Sequence, residues 1–228
     1  MIKAVIFDLG STLINTIKIR QNIDLEFNLP LMRKLGYMGS LEELKRKKHA
    51  VDVRTIHVGK EDFFDEFSKE LGIKLSKKQS KNSYKNFQKF FLKNITLIPD
   101  AKRVLETIRK RGYKVALITN SAGKHAKASI NYFKLKKYFD FIIISEEVNA
   151  VKSELKPFKL ALQRLRLRPD ECLMIGDKLD EDAYAKRVGM RVCWFESRPD
   201  YVPRKQPERF DFRVKELKAL LQLLPPLR

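Results

Sequence analysis

The run Val5-Ile6-Phe7-Asp8-Leu9-Gly10-Ser11-Thr12-Leu13 carries an apolar strand directly into an aspartate and then into a turn of small residues. Strands of a parallel sheet are covered on both faces, so they read as short continuous apolar runs. A polar side chain at the carboxyl end of such a strand lies at the crevice where open α/β sheets bind ligands. Three later segments end in the same way and carry Thr119, Lys152 and Asp177. A chain with four such strand ends is constrained to one layered architecture, with its chemistry gathered along one edge of the sheet.

The region from Leu97 onward alternates helical and strand patterns. Pro99-Asp100 opens a helix whose apolar face is Ala101, Val104, Leu105 and Ile108, and Gly112 ends it. Val115 to Ile118, Phe139 to Ile144, Cys172 to Ile175 and Val192 to Phe195 read as buried strands. Helices are expected at Gly123–Leu135, Pro157–Leu167, Glu181–Val188 and Lys215–Leu224, and a proline-bearing surface loop at Ser197–Glu208. The segment from Asn15 to Asn94 differs, showing no clear strand. Helical patterns run over Ile17–Leu35 with a break or kink at Pro30, over Leu41–Ile56, over Glu61–Leu71 and over Lys77–Lys93. Ser40 and Ser76 are the N-caps expected for two of these helices. Phe63, Phe64, Phe67 and Leu71, like Tyr84, Phe87, Phe90 and Phe91, fall at helical spacing and read as core. The expected fold is therefore a doubly wound, Rossmann-like parallel sheet over 1–14 and 95–228, with an all-helical insertion over 15–94.

Composition narrows the function classes. A chain of 228 residues with 43% hydrophobic content suits a core domain plus a small one. No stretch is apolar for the about 18 residues a membrane span needs. The first residues enter a strand with no basic leader, so a cytoplasmic protein without membrane partners is expected. Cys172 and Cys193 sit in apolar runs and read as buried, reduced thiols. His49, His57 and His125 have no ligand spacing and give a zinc site no support. The net charge of +20 is spread over most of the chain, with its densest run, Lys45-Arg46-Lys47-Lys48, on a predicted helix that also holds Glu42 and Glu43. That distribution reads as a solvated surface that also attracts small anions, not as a module for specific nucleic-acid binding. A lysine- and glutamate-heavy surface is also the composition of heat-adapted proteins.

Asp8, Thr119, Lys152 and Asp177 are individually ordinary, but their order and shared location fit phosphoryl transfer. A carboxylate can attack phosphorus and form an acyl phosphate, splitting one hard step into two. Asp8 and Asp177 form a pair of hard oxygen donors of the kind Mg2+ takes. A threonine hydroxyl can donate to a phosphoryl oxygen, a lysine can offset the charge that builds there, and the backbone N–H groups after Asp8 can cradle the phosphate.

These residues resemble the motifs of the haloacid dehalogenase superfamily, with a helical cap of the four-helix type inserted after the first strand. Phe7-Asp8-Leu9-Gly10-Ser11-Thr12-Leu13 is similar to the first motif, Asp-x-Asp-Gly-Thr, except at Gly10 and Ser11. Val115-Ala116-Leu117-Ile118-Thr119-Asn120 is similar to the second, and Gly176-Asp177 through Asp182 to the fourth, Gly-Asp-x4-Asp. The third motif has two candidate lysines. Lys156-Pro157 resembles a family dipeptide, while spacing favours Lys152, six positions before Phe158 at the head of an amphipathic helix. The resemblance implies Asp8 as nucleophile, with Thr119 and Lys152 as catalytic partners. It implies Mg2+ bound by Asp8, the Gly10 carbonyl and Asp177, with Asp182 in the outer metal shell or holding Lys152. Leu9, Gly10, Thr119, Asn120 and Lys152 would contact the substrate, a small phosphorylated metabolite. A monomer or homodimer is expected.

Gly10 departs from this pattern where it matters. In phosphatases of the superfamily the second aspartate of the first motif protonates the leaving oxygen and then activates water; glycine can do neither, although its carbonyl can still meet a metal. General acid–base catalysis is worth about 10²–10⁴-fold, so the expectation is a phosphatase that is slow, uses a leaving group needing little help, or borrows an acid from the cap. The alternatives are a dehalogenase or phosphonatase, or a phosphate- and metal-binding protein of low turnover. Dehalogenases of the superfamily place an aromatic residue at this position and work without metal. Retention of Asp177 and Asp182 argues against that chemistry here.

Overall fold

The computed structural model describes residues 1–54, 63–198, 201–203 and 209–227. They form two compact units, the first made of Met1–Asn15 with Thr96–Arg228 and the second of Thr16–Ile95. In chain order, the first unit opens with β1 (Ala4–Phe7) and β2 (Ile14–Asn15). The second holds α1 (Ile17–Ile23), α2 (Leu29–Lys34), α3 (Leu41–Arg54), α4 (Phe63–Glu70) and α5 (Lys77–Lys93). The first resumes with β3 (Thr96–Leu97), α6 (Ala101–Lys110), β4 (Lys114–Thr119), α7 (Gly123–Tyr132) and β5 (Phe141–Ile144). It closes with α8 (Lys156–Leu165), β6 (Cys172–Gly176), β7 (Arg191–Phe195), β8 (Phe212–Val214) and α9 (Leu220–Leu223).

The main sheet has six strands in the order β5-β4-β1-β6-β7-β8, and every pairing is parallel. Both faces are covered. Ile6, Ala116, Ile118, Cys172 and Met174 pack with Phe158, Ala161 and Leu165 of α8, while the alternate residues Val5, Phe7, Val115, Leu117 and Ile175 are buried as well. The chain runs from β1 to β4 on one side and later returns to β6 on the other. The strand order therefore reverses beside β1, which is where doubly wound sheets open a crevice. β2 and β3 pair antiparallel, joining the two points at which the chain leaves and re-enters the first unit.

Among the described residues the second unit is built of helices joined by turns, with no strand. Pro30 does not break its first helix. Proline lacks an N–H and its ring crowds the carbonyl four residues back; here the helix widens into a π turn over Asp24–Asn28 and continues as α2. Asp24 on that turn is buried and pairs with Lys48 of α3 at 2.9 Å. Phe64, Phe67, Leu71 and Tyr84 are buried in the core of this unit, and Phe27 meets Phe64, Phe87 and Phe90 through ring contacts. Ser76 caps α5 in a reciprocal arrangement with Gln79, and the Ser40 hydroxyl accepts the Glu43 N–H at 3.1 Å. The expected start of α4 at Glu61 and the end of α3 at Ile56 lie outside the described residues.

Other differences from the sequence reading are local. The segment from Asp182 to Val188 is a 3-10 helix closed by the left-handed Gly189, not an α-helix. The final helix begins as a 3-10 turn at Leu217. β8 is too short to leave a periodic signal; it docks on β7 as an edge strand, where the Asp211 carboxylate accepts the Val192 N–H at 2.7 Å. No helix among the described residues is long and apolar enough to cross a membrane.

Candidate active site

The register of the central strands sets the site. Phe7 pairs with both Leu117 and Ile175, so Asp8, Thr119 and Asp177 leave the sheet at the same edge. The Asp8 N–H donates to the Ile175 carbonyl at 2.9 Å, which fixes the strand end that aims the carboxylate. Behind it the chain turns tightly: the Leu13 and Ile14 N–H groups both donate to the Leu9 carbonyl at 3.0 Å, and the Ser11 N–H donates to the Ile14 carbonyl at 2.7 Å. Ser11 takes a left-handed conformation at φ 61°, whereas Gly10 lies outside that region. Gly10 is bridged to Ile14.

Lys152 lies on a single 3-10 turn, Lys152–Glu154, in the loop after β5, and its side chain is 1% exposed. Its ammonium sits 2.5 Å from Asp8 Oδ1 and 2.5 Å from Asp182 Oδ1. Burial alone would pull this ammonium down, but the carboxylates of Asp182 and Asp8, with Glu181 beyond them, outweigh it and hold Lys152 above the ordinary lysine range. The lysine therefore stays charged. Burial pushes the Asp182 carboxyl up to about 8 against the pull of Lys152, with Asp8 and Asp177 adding to the rise. Lys156, the other sequence candidate, is directed elsewhere and donates to the Val148 carbonyl at 2.7 Å.

The Gly176–Asp182 loop folds back on itself. The Lys178 N–H donates to Asp182 Oδ2 at 3.0 Å, and the Asp182 N–H donates to the Lys178 carbonyl at 2.7 Å. The Asp182 carboxyl lies so close to the main chain that a Cβ on Gly176 would stand 2.1 Å from Asp182 Cγ. Glycine at 176 is thus a packing requirement of this loop. Asp8, Asp177 and Asp182 each present an oxygen within 4.8 Å of the others, and all three residues are buried. Such a set of hard donors suits a small divalent cation. Both oxygens of Asp182 are engaged, by the Lys152 ammonium and by the Lys178 N–H, while Asp8 Oδ1 meets Lys152 and Asp177 Oδ2 lies 2.7 Å from Arg198 Nε.

Two further features carried no sequence signal. The Asn120 side chain is a hub: its Oδ1 accepts from the Ser145 hydroxyl at 2.7 Å and from the Lys152 N–H at 3.1 Å, while its Nδ2 donates to Glu181 at 2.9 Å. It thereby ties together the loops after β4, β5 and β6. Arg198, beyond β7, places Nε 2.7 Å from Asp177 Oδ2. Thr119 is buried at the end of β4, and its hydroxyl accepts the Ser121 N–H at 3.1 Å, leaving its own proton available to donate.

A carboxylate and a buried lysine at the switch point of a doubly wound sheet, with further carboxylates beside them, define an α/β protein built to handle a charged group. The chain belongs to the haloacid dehalogenase-like hydrolases, whose family model matches residues 2–189. It is 27% identical to the glyceraldehyde 3-phosphate phosphatase of Pyrococcus furiosus, over 98% of this chain and 93% of that protein. A HAD phosphatase from Thermococcus onnurineus has a crystal structure that superposes with a TM-score of 0.75 at 26% identity, covering 100% of both chains. The crystal structure of 2-haloacid dehalogenase from Pseudomonas syringae pv. Tomato DC3000 shares the fold, with a TM-score of 0.71 at 22% identity over 98% of each chain.

Proposed function

We propose that the protein is a Mg2+-dependent phosphomonoester hydrolase that works through an aspartyl phosphate on Asp8. The observation that carries this reading is the fully buried Lys152 bridging Asp8 and Asp182 beside Asp177. A buried ammonium shared between two carboxylates is an arrangement for placing negative charge where charge must build. The similarity to a glyceraldehyde 3-phosphate phosphatase over nearly the whole chain supports a small phosphorylated metabolite as substrate.

In this reading Asp8 attacks phosphorus through one carboxylate oxygen, the P–O bond to the leaving oxygen breaks, and the acyl phosphate is then hydrolysed by water. Lys152 offsets the charge gathering on the transferred group and keeps Asp8 oriented for attack. The Thr119 hydroxyl and the Asn120 N–H donate to phosphoryl oxygens, and the backbone after Asp8, at Leu9 and Gly10, cradles the group. Mg2+, held by Asp8, Asp177 and the Gly10 carbonyl, would supply positive charge and orientation to the phosphoryl oxygens. Asp182 acts from behind by holding Lys152. The helical unit, inserted between the loop that carries Asp8 and β3, is read as the family's cap, the part in which substrate choice resides.

Gly10 supplies no proton to the leaving oxygen, so turnover is slow or confined to substrates whose leaving oxygen needs no acid. The test is a panel of small phosphate esters, led by glyceraldehyde 3-phosphate, assayed for phosphate release with Mg2+ and with EDTA. Wild type releases phosphate only with the metal, Asp8→Asn releases none, and Gly10→Asp gains about 10²–10⁴-fold, the usual worth of a positioned acid–base group. Unchanged activity in Asp8→Asn would refute the mechanism. Gly10 also favours a second reading, a phosphate- and metal-binding protein without useful turnover. That reading requires a near-inactive wild type whose activity appears only in Gly10→Asp.

A further inference from the structure

We infer that Arg198 is an internal counter-cation for Asp177 that a divalent metal must displace. The inference rests on the proposed metal site and goes beyond it, because it assigns a regulating residue outside the four motif segments.

The Asp177 side chain is 2% exposed, and both of its oxygens are engaged: Oδ1 is approached by the Thr12 hydroxyl at 3.5 Å, and Oδ2 lies 2.7 Å from Arg198 Nε. The guanidinium does not swing freely. It lies over the Tyr201 ring at 4.6 Å, and the Tyr201 hydroxyl donates to the Asp180 carboxylate and accepts the Asp180 N–H at 3.1 Å. Arg198 and Tyr201 thus staple the segment after β7 to the loop that carries Asp177. Asp8, Asp177 and Asp182 gather in one buried cluster, in which Lys152 meets Asp8 and Asp182 and Arg198 meets Asp177.

The contact has the character of a parked cation. Arg198 Nε and Nη2 are buried without a hydrogen bond among the described residues, so the guanidinium stands beside the carboxylate without the aligned fork that makes strong arginine–carboxylate pairs. An Mg2+ ion binds oxygen at about 2.1 Å. On Oδ2 it would sit within about 5 Å of Arg198 Nε, where two cations in a buried pocket repel strongly. The apparent metal affinity is then the intrinsic affinity reduced by the fraction of molecules whose Asp177 is released from Arg198.

Trp194 provides a reporter. It is the only tryptophan of the chain, and its indole N–H donates to the Asp177 carbonyl at 3.3 Å. The experiment titrates Mg2+ into wild type, Arg198→Ala, Arg198→Gln and Arg198→Lys, reading Kd by calorimetry and by Trp194 fluorescence without substrate. Arg198→Ala and Arg198→Gln are expected to bind Mg2+ about tenfold more tightly than wild type, which corresponds to about 1.4 kcal/mol. Arg198→Lys, which keeps the charge, is expected to fall between. Melting curves provide a second measure: Arg198→Gln melts below wild type in EDTA, and saturating Mg2+ closes that gap. Equal or weaker binding in the neutral variants overturns the displacement and makes Arg198 a support for Asp177. Absence of Mg2+ binding in every variant overturns the metal reading itself, and this inference with it.

Discussion

Replacing Lys152 by methionine tests the arrangement on which the site depends. The substitution keeps an unbranched apolar stem and removes only the ammonium, which lies 2.5 Å from each of two carboxylates in a side chain that is 1% exposed. At an effective dielectric of about 20, each contact is worth about 6–7 kcal/mol of Coulomb attraction. Most of that is offset in wild type by the cost of drying the ammonium. What the variant suffers is the penalty of breaking a buried ion pair by removing one partner, about 3–5 kcal/mol. For a chain of this size, each kcal/mol moves the melting temperature by about 2–4 °C, so Lys152→Met should melt about 10 °C below wild type in EDTA. The double variant Lys152→Met/Asp182→Asn removes the more deeply buried carboxylate together with the cation, and should regain at least half of the loss. Circular dichroism melts of wild type, both single variants and the double variant give the coupling directly. A Lys152→Met protein that melts with wild type, or a double variant whose loss equals the sum of the single losses, would show that the three groups do not act as a unit.

Gly176→Ala should disturb the same unit from the backbone side. A Cβ at 176 would lie 2.1 Å from Asp182 Cγ, so the carboxyl that holds Lys152 must move; overpacking of this kind costs about 1–3 kcal/mol, read as a lowered melting temperature together with reduced phosphate release. The two cysteines give a pH test. Burial pushes both thiols up, Cys172 to about 12 with Glu171 and Asp170 adding to the rise, and Cys193 to about 12. A raised thiol pKa leaves little reactive thiolate below that range, so a disulfide-exchange reagent at pH 8 should label neither cysteine in the folded protein and both in denaturant; rapid labelling of the native state would refute the burial argument.

The sequence was informative where one residue type does one job at a fixed place. Apolar runs ending in Asp8, Thr119 and Asp177 located the edge of the sheet, and the spacing to Phe158 separated Lys152 from Lys156, which the structure places respectively between two carboxylates and on a carbonyl at 2.7 Å. What remained hidden depends on long-range contact without period. Asn120 was read for its backbone, yet its side chain joins Ser145, Lys152 and Glu181, residues 25 to 61 positions away. Arg198 reaches Asp177 from a loop whose residue types announce only a turn. β8 is three residues long, and no pattern of that length separates an edge strand from coil. Pro30 correctly marked a disturbance, but the outcome is a π turn and not a break, and Asp24 on that turn is buried and paired with Lys48 of α3.

The first motif shows where sequence and structure together say more than either alone. A left-handed residue costs a side-chain-bearing position about 1–2 kcal/mol, and glycine is the usual way to avoid that cost. Here the left-handed position is Ser11, at φ 61°, and the glycine stands one residue earlier, outside that region. Backbone conformation therefore does not explain Gly10. Leu9 and Ser11, not Gly10, make the turn's backbone hydrogen bonds with Leu13 and Ile14. An aspartate at position 10 accordingly meets no conformational barrier from φ. The residue that removes an acid from the proposed reaction is not one that a left-handed φ demands, so Gly10→Asp is a direct probe of the chemistry beside Asp8.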